Sequence, residues 1–422
     1  MTKRTYTYDV VVIGGGLSGM MAAAGAEAKG ARVALLTDGC GMLELTTGCV
    51  DLLGVTPDGQ PVERPWEAFA TLTEREPLHP YALLGAEGVR DGLNAFRRIM
   101  AEVGCTYQCP DEQRNQWIVT SLGHLKPTYL TPEGIAVPHR GQTVRVIGFK
   151  GLRDFHPGVF AEGLRRSLPD TPVTWEWVEL PPHTLGGPAE LNALQVARLM
   201  DEPEYREKVL RNLKPVTPAP DVVLFPAVLG VNRQAEVRSA FSQAVDAPVA
   251  EIPLMAPSLP GLRLARRLTR YLEDRRVDLF TAFRVTESET ADGRVTAVRG
   301  YGAGRETEFR AKAFVLATGG LLGQGLEVRE KSLREPIFGL PVQAPEDGAD
   351  HWASREMMPA GGHPFLRCGI RTDAHLRPSG WTNLHVCGRM LADYDPYTAF
   401  CGGGVAVATG WRAGQLAGGV VS

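Results

Sequence analysis

The residues with the clearest chemical potential are four glycines near the start of the chain. Gly14, Gly16 and Gly19 form the pattern G-x-G-x-x-G, with Gly15 between them and an apolar run at residues 10–13 before them. In such a turn the first glycine permits the tight bend, the second lets backbone approach a pyrophosphate, and the third lets the helix pack closely on the strand. Unpaired N–H groups at the helix start attract phosphate. The pattern therefore predicts a nucleotide-binding βαβ unit.

Two apolar strands and a helix supply the elements that must hold this turn. Residues 10–13 and 32–36 are short apolar runs typical of buried parallel strands, and the alanine-rich residues 20–28 indicate the helix between them. An acidic residue is expected where the second strand ends, because it binds an adenosine ribose hydroxyl. Thr37 occupies that position and Asp38 follows it. The alternative is a glycine-rich α/β turn that binds no ligand.

A second group of candidate cofactor contacts lies in later turns. Loops at the carboxyl ends of parallel strands line the crevice in which such sheets bind ligands. The turn residues predicted to line it are Thr46, Thr47, Gly319 and Gly388. Gly319 belongs to an A-T-G-G turn that would bring the returning chain under the nucleotide, where only glycine permits close backbone approach. For the two threonines, a hydroxyl-rich turn without a ligand is an equal alternative.

Three further glycines, Gly402, Gly403 and Gly404, precede a predicted helix at residues 405–416. Their N–H groups and the helix dipole would stabilise the reduced, anionic ring of a flavin. A glycine-rich helix entry packed on the sheet is the alternative. Cys401 stands at the same helix start, where a thiolate would be favoured, but simple packing is the better interpretation of this residue.

The composition describes an ordinary globular protein. The 422 residues predict two or more domains, and the net charge of -3 argues against nucleic-acid binding. No apolar run approaches the ~20 residues of a membrane span. The seven cysteines are scattered without a C-x-x-C pair, so we expect no iron–sulfur cluster, metal site or disulfide framework in this chain. These features predict a cytoplasmic protein whose clusters, if any, belong to a partner.

The order of predicted elements favours an α/β protein with a Rossmann-like FAD/NAD(P)-binding fold, built in two parts around an inserted α/β cap domain. The expected division is 1–60 for the first part of the flavin-binding domain, 61–247 for the cap, 248–325 for the second part, 326–375 for a cap or substrate segment, and 376–422 for the C-terminal part. We expect loop at 57–80 and helical structure at 191–213. The basic face of a helix at 262–274, formed by Arg263, Arg266, Arg267 and Arg270, is expected to be solvated.

Several longer motifs carry a resemblance to a known family. They are T-T-G-x-x-D-L-L at 46–53, H-P-Y-x-L-L-G at 79–85, V-x-G-x-x-G-L-x-D-F ending at 155, R-E-P-I-x-G-L at 334–340, L-R-P-S at 376–379 and C-G-G-G-V at 401–405. With these motifs the chain resembles flavoproteins of the fumarate reductase type and, more narrowly, the B subunits of anaerobic glycerol-3-phosphate dehydrogenases. The motifs are collinear and span nearly the whole chain.

This resemblance implies a flavin-bearing subunit of a complex that oxidises sn-glycerol 3-phosphate to dihydroxyacetone phosphate. The implied partners are a catalytic A subunit and an iron–sulfur C subunit that passes electrons to membrane quinone, so that the chain associates peripherally with the inner membrane. FMN is the implied flavin, a choice that Thr37 also favours, while the glycine pattern argues for FAD as the alternative. Arg389 departs from the family pattern, because related flavoproteins often carry an acid there for the ribityl chain.

Candidate catalytic residues are less distinct. Abstraction of hydride from a secondary alcohol requires a general base, and the substrate phosphate requires cations. Arg334, His363 and Arg371 are available, but each is equally suited to a structural role, so no base is assigned. The alternatives are a non-catalytic scaffold or electron-transfer subunit and another fumarate reductase-like oxidoreductase. A disulfide reductase is disfavoured, because Cys40 and Cys49, the cysteines near the first helix, lie too far apart for a redox pair, and the chain lacks a second glycine pattern for nicotinamide.

Overall fold

Two larger β-sheets and their flanking helices make up the computed structural model of the chain. It describes residues 4–39, 41–181, 190–215, 217–345, 348–357, 359 and 361–420. The elements up to residue 210 are Arg4–Ile13 (β1), Leu17–Glu27 (α1), Val33–Leu36 (β2), Pro65–Arg75 (α2), Pro80–Glu102 (α3), Tyr107–Gln108 (β3), Gln116–Val119 (β4), Leu125–Thr128 (β5), Thr131–Pro132 (β6), Val144–Lys150 (β7), Pro157–Ser167 (α4), Val173–Glu179 (β8), Ala193–Asp201 (α5) and Pro203–Leu210 (α6). Those that follow are Val222–Pro226 (β9), Gln234–Val245 (α7), Val249–Ile252 (β10), Leu259–Asp274 (α8), Asp278–Phe280 (β11), Phe283–Ala291 (β12), Arg294–Gly302 (β13), Arg305–Leu316 (β14), Glu327–Arg329 (β15), Ser332–Arg334 (β16), Leu384–Val386 (β17) and Gly402–Gly419 (α9).

The first sheet carries the glycine turn. Its strand order is β11-β2-β1-β14-β13-β12, and β17 also pairs with β14. β1 runs parallel to β2 and β14, with Ile13 opposite both Leu36 and Leu316, and Val386 of β17 is also opposite Leu316. With β11, which runs parallel to β2, five parallel strands therefore end at one edge of the sheet, which is where α/β sheets bind ligands. This arrangement confirms the expected Rossmann-like class.

Helices α1 and α9 pack against each other through backbone. A Cβ atom at Gly410 would overlap the carbonyl oxygen of Ser18, and one at Gly414 would overlap that of Ala22. Glycine at these positions lets the two helices approach more closely than side chains would permit. The close packing fixes the start of α9 relative to the start of α1.

The second sheet has its own core. Its parallel strands lie in the order β10-β9-β7-β8, and the rings of Phe149, Phe225 and Phe241 pack together beneath it. The sheet extends to Ile252, because Val249–Ile252 pairs with β9. The chain thus completes this layer before α8 returns it to the first sheet.

Two expectations about local structure are wrong, and a segment expected to be helical is divided in two. Residues 57–80 contain a helix, α2, which begins at Pro65 because proline suits the first helical position. Residues 191–213 form two helices, because Pro203 begins a new one. Arg263 is not solvated, since it is only 3% exposed and its Nη1 lies 2.6 Å from Oε2 of the fully buried Glu251. That ion pair joins α8 to the last strand of the second sheet.

Candidate cofactor-binding site

The glycine turn is held by contacts that admit no side chain at two positions. Gly14 has φ of +114°, and its N–H donates to the Leu36 carbonyl at 2.8 Å. A Cβ atom there would overlap the carbonyl oxygen of Ala317, and one at Gly19 would overlap the Gly14 carbonyl. The turn is therefore wedged between β1, β2 and the end of β14.

Gly16 differs from its neighbours because its Cβ direction is empty. No atom lies within 4 Å of the position that a Cβ would take, and Gly16 is the N-cap of α1 with no side-chain cap. The first-turn N–H groups of α1 have no partners within the helix, as at any helix start. The cradle therefore fits a phosphate group.

Thr37 and Asp38 are engaged by protein groups. A Cβ at Gly15 would lie 2.5 Å from Thr37 Oγ1, and the Thr37 hydroxyl donates to the Gly39 carbonyl. Asp38 accepts from Arg284, with 2.6 Å between the Arg284 Nε and the Asp38 Oδ2. Thr37 thus bonds within its own turn, and the only carboxylate at the end of β2 among the described residues is paired with Arg284.

Two later turns meet the glycine turn as expected. The Ala317 N–H donates to Ile13 at 2.8 Å, and Gly319 has φ of +84°. The Thr318 hydroxyl is buried without a hydrogen-bond partner among the described residues. Gly388 lies against Ser18, so that a Cβ there would overlap the Ser18 hydroxyl. A buried, unpaired hydroxyl beside the cradle is a group that a bound ligand would satisfy.

Residues 41–52 form a loop, here called the bridging loop, that connects the glycine turn to the start of α9. A Cβ at Gly41 would lie 3.2 Å from the Gly16 Cα. The Thr46 hydroxyl donates to Leu43 at 2.9 Å, and the Thr47 hydroxyl accepts from the Cys49 N–H at 3.4 Å. Both threonine hydroxyls therefore make hydrogen bonds within their own loop.

The start of α9 lies against the far end of the bridging loop. The Gly404 N–H donates to the Asp51 carbonyl at 2.8 Å, and a Cβ at Gly403 would lie 2.9 Å from the Asp51 nitrogen. Gly402 and Gly403 are half-buried. Close approach of protein backbone is thus one reason for glycine here, and contact of these N–H groups with a flavin ring stays a prediction.

A polar pair beside α9 was missed by the sequence analysis. Lys126 Nζ lies 2.6 Å from Asp51 Oδ2, and the two side chains are 18% and 20% exposed. The other Asp51 oxygen and the Thr128 hydroxyl are buried without partners in the described part of the chain. The hairpin of β4 and β5 places Lys126 beside Asp51. In the sequence, only the acid of the T-T-G-x-x-D motif indicated this pair.

Burial keeps two ionisable groups near this site neutral. His79 accepts the Tyr81 N–H on Nδ1 at 3.1 Å, and burial lowers the pKa of its imidazole to about 3. Burial also raises the pKa of the Cys401 thiol far above its ordinary value. A thiolate at Cys401 is therefore disfavoured, in agreement with the packing interpretation.

Two of the three candidate catalytic residues bond to nearby protein groups, and the third is exposed. Arg371 pairs with Asp393 through Nε at 2.8 Å and Nη2 at 3.1 Å. His363 accepts the Ser354 N–H on Nδ1 at 3.1 Å. Arg334 is exposed at the end of β16, opposite Glu327. Their catalytic roles stay predictions.

Arg389 ties together two turns near the end of β17. Its guanidinium donates to the Cys368 carbonyl at 3.2 Å and to the Leu366 carbonyl. A Cβ at Gly320 would lie 3.0 Å from its Cγ. The arginine thus braces the turn after Gly319 in the position where an acid would be expected to bind the ribityl chain.

Two candidate features are absent from the part of the chain that the structure describes. No group of three or more His, Cys, Asp or Glu side chains is arranged to hold a metal ion there. Within the same residues, no helix combines the length and apolar character needed to cross a bilayer.

Comparison with known proteins assigns this site to a class. Residues 9–405 match the FAD binding domain family, so the chain is a flavoprotein of that fold and its cofactor is a flavin. Over 419 residues it is 34% identical to the anaerobic glycerol-3-phosphate dehydrogenase B subunit of Vibrio cholerae, a match that covers 96% of this chain and 95% of the relative. It is 30% identical over 411 residues to the corresponding protein of Pectobacterium atrosepticum, covering 95% and 96%. The chain belongs to the family of anaerobic glycerol-3-phosphate dehydrogenase B subunits, which confirms the resemblance drawn from its motifs.

Solved structures similar to this chain are more distant. Sdh1 of Mycobacterium smegmatis in complex with UQ1 is 14% identical, with a TM-score of 0.43, covering 99% of this chain and 70% of that one.

Proposed function

We propose that this chain is the flavin-bearing subunit of a complex that oxidises sn-glycerol 3-phosphate to dihydroxyacetone phosphate and delivers the electrons to membrane quinone. The observation that carries the proposal is similarity along nearly the whole length to B subunits of anaerobic glycerol-3-phosphate dehydrogenases. The open cradle at Gly16 supports it, because the chain keeps the space that a phosphate requires.

The residues proposed to hold the cofactor are Gly14, Gly15, Gly16, Gly19, Thr37, Asp38, Thr46, Thr47, Gly319, Gly388, Gly402, Gly403 and Gly404. In this proposal the first turn of α1 binds phosphate through backbone N–H groups, and the start of α9 presents its dipole to the ring. When bound, the flavin would accept the hydride that leaves the carbinol carbon of the substrate. Arg334, His363 and Arg371 are the candidates for binding the phosphate or moving the proton.

We propose FAD as the flavin, because the matching family is an FAD binding domain. FMN, expected from the sequence, is the second candidate. The observation that favours it is the lack of a free acid at the end of β2, where Thr37 bonds to its own turn and Asp38 pairs with Arg284. Chromatography of the flavin released by heat from the purified chain distinguishes the two, and a single species identifies the cofactor.

We further propose that electrons leave through partners. The proposed partners are a catalytic A subunit and an iron–sulfur C subunit, with the chain held at the inner membrane through them. The chain divides, in this proposal, into a flavin-binding domain at 1–60, 248–325 and 376–422, a cap at 61–247 and a cap or substrate segment at 326–375. Support for the electron path comes from the scattered cysteines, which lack the spacing of an iron–sulfur site.

The sharpest test of the flavin site is Gly16→Val. Its φ of −74° and ψ of 179° suit valine, and the empty Cβ direction lets the variant fold. The branched side chain would fill the phosphate cradle, and the loss of charge-assisted bonds is expected to weaken flavin binding about a hundredfold. The measurement is the visible spectrum and flavin-to-protein ratio after gel filtration. Gly361→Val, at another glycine with an empty Cβ direction, is the matched control. Full flavin content in folded Gly16→Val protein would refute the site.

A second experiment separates this function from a non-catalytic scaffold. The scaffold is favoured by the pairing of Arg371 with Asp393, which engages one of the few candidate cations. Anaerobic addition of glycerol 3-phosphate to the assembled complex is expected to bleach the flavin of this chain. The isolated chain is expected to hold flavin without reducing quinone. Full quinone reduction by the isolated chain would contradict the proposed electron path, and a flavin that never bleaches would favour the scaffold.

A further inference from the structure

A cavity of about 220 Å³ lies between helices α5 and α8, outside the cofactor site. Leu259 and Leu262 form part of its wall, and Ser258, Arg198, Arg266 and Glu44 supply its polar groups. The volume is below the ~300 Å³ at which sites for drug-sized ligands begin, so the cavity suits a small molecule.

Ser258 is the residue that marks this cavity as a binding site. It is the N-cap of the 16-residue helix α8, a position where serine ordinarily bonds to a first-turn N–H, but its hydroxyl makes no such bond. The residue is 2% exposed, and the hydroxyl has no hydrogen-bond partner anywhere in the described chain. A buried hydroxyl without a partner lowers stability, and a ligand in the cavity would supply one.

The charges around the cavity select the ligand. Arg266 donates to the neutral Asn232 side chain at 3.1 Å, and no ion pair of Arg198 or Arg266 is found with another described residue. Two guanidinium groups that line one cavity favour a phosphate dianion. Glu44 would repel a phosphate beside it, but its carboxylate can accept hydrogen bonds from hydroxyl groups.

We infer that this cavity binds a small hydroxylated phosphate monoester, with its phosphate toward Ser258, Arg198 and Arg266 and its hydroxyl groups toward Glu44. The inference goes beyond the proposed function, because it assigns a second binding site that requires no flavin.

The bridging loop lies between this cavity and the glycine turn. A Cβ at Gly261 would lie 2.8 Å from the Thr46 carbonyl oxygen, and the Ser258 N–H donates to the Glu44 carbonyl at 2.6 Å. The same loop approaches Gly16 through Gly41. A ligand in the cavity would therefore order the loop that contacts the phosphate cradle.

Isothermal titration of the full-length chain at fixed chloride concentration tests the inference. The probes are glycerol 3-phosphate, inorganic phosphate and glycerol. We expect glycerol 3-phosphate to bind best, inorganic phosphate more weakly, and glycerol not at all. Glu44→Gln is expected to weaken the binding of glycerol 3-phosphate without weakening the binding of inorganic phosphate. No heat of binding with either phosphate would overturn the inference.

Variants of the residues that line the cavity test whether glycerol 3-phosphate binds there. Ser258→Ala is expected to weaken the binding of glycerol 3-phosphate about tenfold. The double variant Arg198→Met/Arg266→Met is expected to weaken it about a hundredfold or more, because hydrogen bonds to a charged group are lost. Arg270→Met, on the same helix but outside the cavity and paired with Asp274, is the control and should bind normally. Unchanged affinity in the double variant would refute the site.

A flavin-free background separates this inference from the proposed function. In the Gly16→Val protein, glycerol 3-phosphate should bind as in the wild type, because the cavity lies on the other side of the bridging loop. Binding lost in Gly16→Val but retained in the double arginine variant would place the ligand at the flavin site and sink the inference. Retention of flavin in Gly16→Val would refute the cofactor site alone. Circular dichroism of each variant confirms that it is folded.

Discussion

Removing one partner of the buried Glu251–Arg263 pair should destabilise the junction between the two sheets. The Glu251 carboxylate accepts from Arg263 at 2.6 and 3.1 Å, from the Leu229 N–H at 2.9 Å and from Gln234 at 2.8 Å. Glu251→Gln preserves shape but leaves the Arg263 charge buried without a counter-charge. Such a change costs about 3–5 kcal/mol.

Urea unfolding followed by circular dichroism measures this loss in the free energy of unfolding. With a denaturant slope of roughly 3 kcal/mol per M, the loss corresponds to a midpoint lower by about 1 M or more. Because a chain of this size can unfold in steps, hydrogen exchange should be followed in β10 and α8 as well. Both segments are expected to exchange faster in the variant.

Two matched variants test whether the buried charge of Arg263 causes the loss of stability. The double variant Glu251→Gln/Arg263→Met removes both charges and is expected to lose less stability than the sum of the two single variants. Arg270→Met disrupts an exposed ion pair with Asp274 and should cost under about 0.5 kcal/mol. A Glu251→Gln protein as stable as Arg270→Met, or strict additivity in the double variant, would show that the buried charge is not what holds the junction.

Three further predictions concern the first sheet and its surroundings. Gly14→Ala is expected to cost at least about 3 kcal/mol, because φ of +114° and overlap with the Ala317 carbonyl both oppose a side chain; soluble yield and melting temperature measure it. The folded-state pKa of His79, about 3, lies below its unfolded value of 6.5, so its share of stability is complete above pH 6.5 and is lost as the pH falls toward 3. Between pH 7 and pH 5 the free energy of unfolding of the wild type should therefore fall by about 2 kcal/mol. In a His79→Asn protein the fall in urea midpoint over the same range should be smaller, and an equal fall would contradict this reasoning. Lys126→Met should lower the melting temperature by leaving Asp51 unpaired, and Asp51→Asn in the same chain should restore part of the loss.

The parts of the fold that were predicted correctly are those with local causes. The first strand, the glycine turn and α1 follow from a short run of residues whose spacing has one good structural solution. Gly14 and Gly19 are required where the pattern places them, because each faces backbone in the folded chain.

The error at Arg263 came from a contact between distant segments. Arg263 lies on a helix face that carries four arginines, and a solvated face is the ordinary interpretation of such a pattern. Its counter-charge, Glu251, sits on a strand that the sequence analysis did not mark, with no local signal to join the two. Lys126 and Asp51 are similarly brought together only by the pairing of a hairpin far along the chain from the acid.

The bridging loop explains why the site was only partly predictable. Its hydroxyl groups suggested ligand contacts, yet Thr46 and Thr47 bond to their own loop, and the loop is positioned by backbone. A Cβ at Gly48 would lie 2.9 Å from the Pro260 carbonyl carbon, and the Gly404 N–H bonds to the Asp51 carbonyl. One segment therefore contacts the phosphate cradle, the start of α8 and the start of α9. Because these contacts are made by backbone, no side-chain pattern in the loop signals them, and the sequence could indicate the loop only through its hydroxyl groups and glycines.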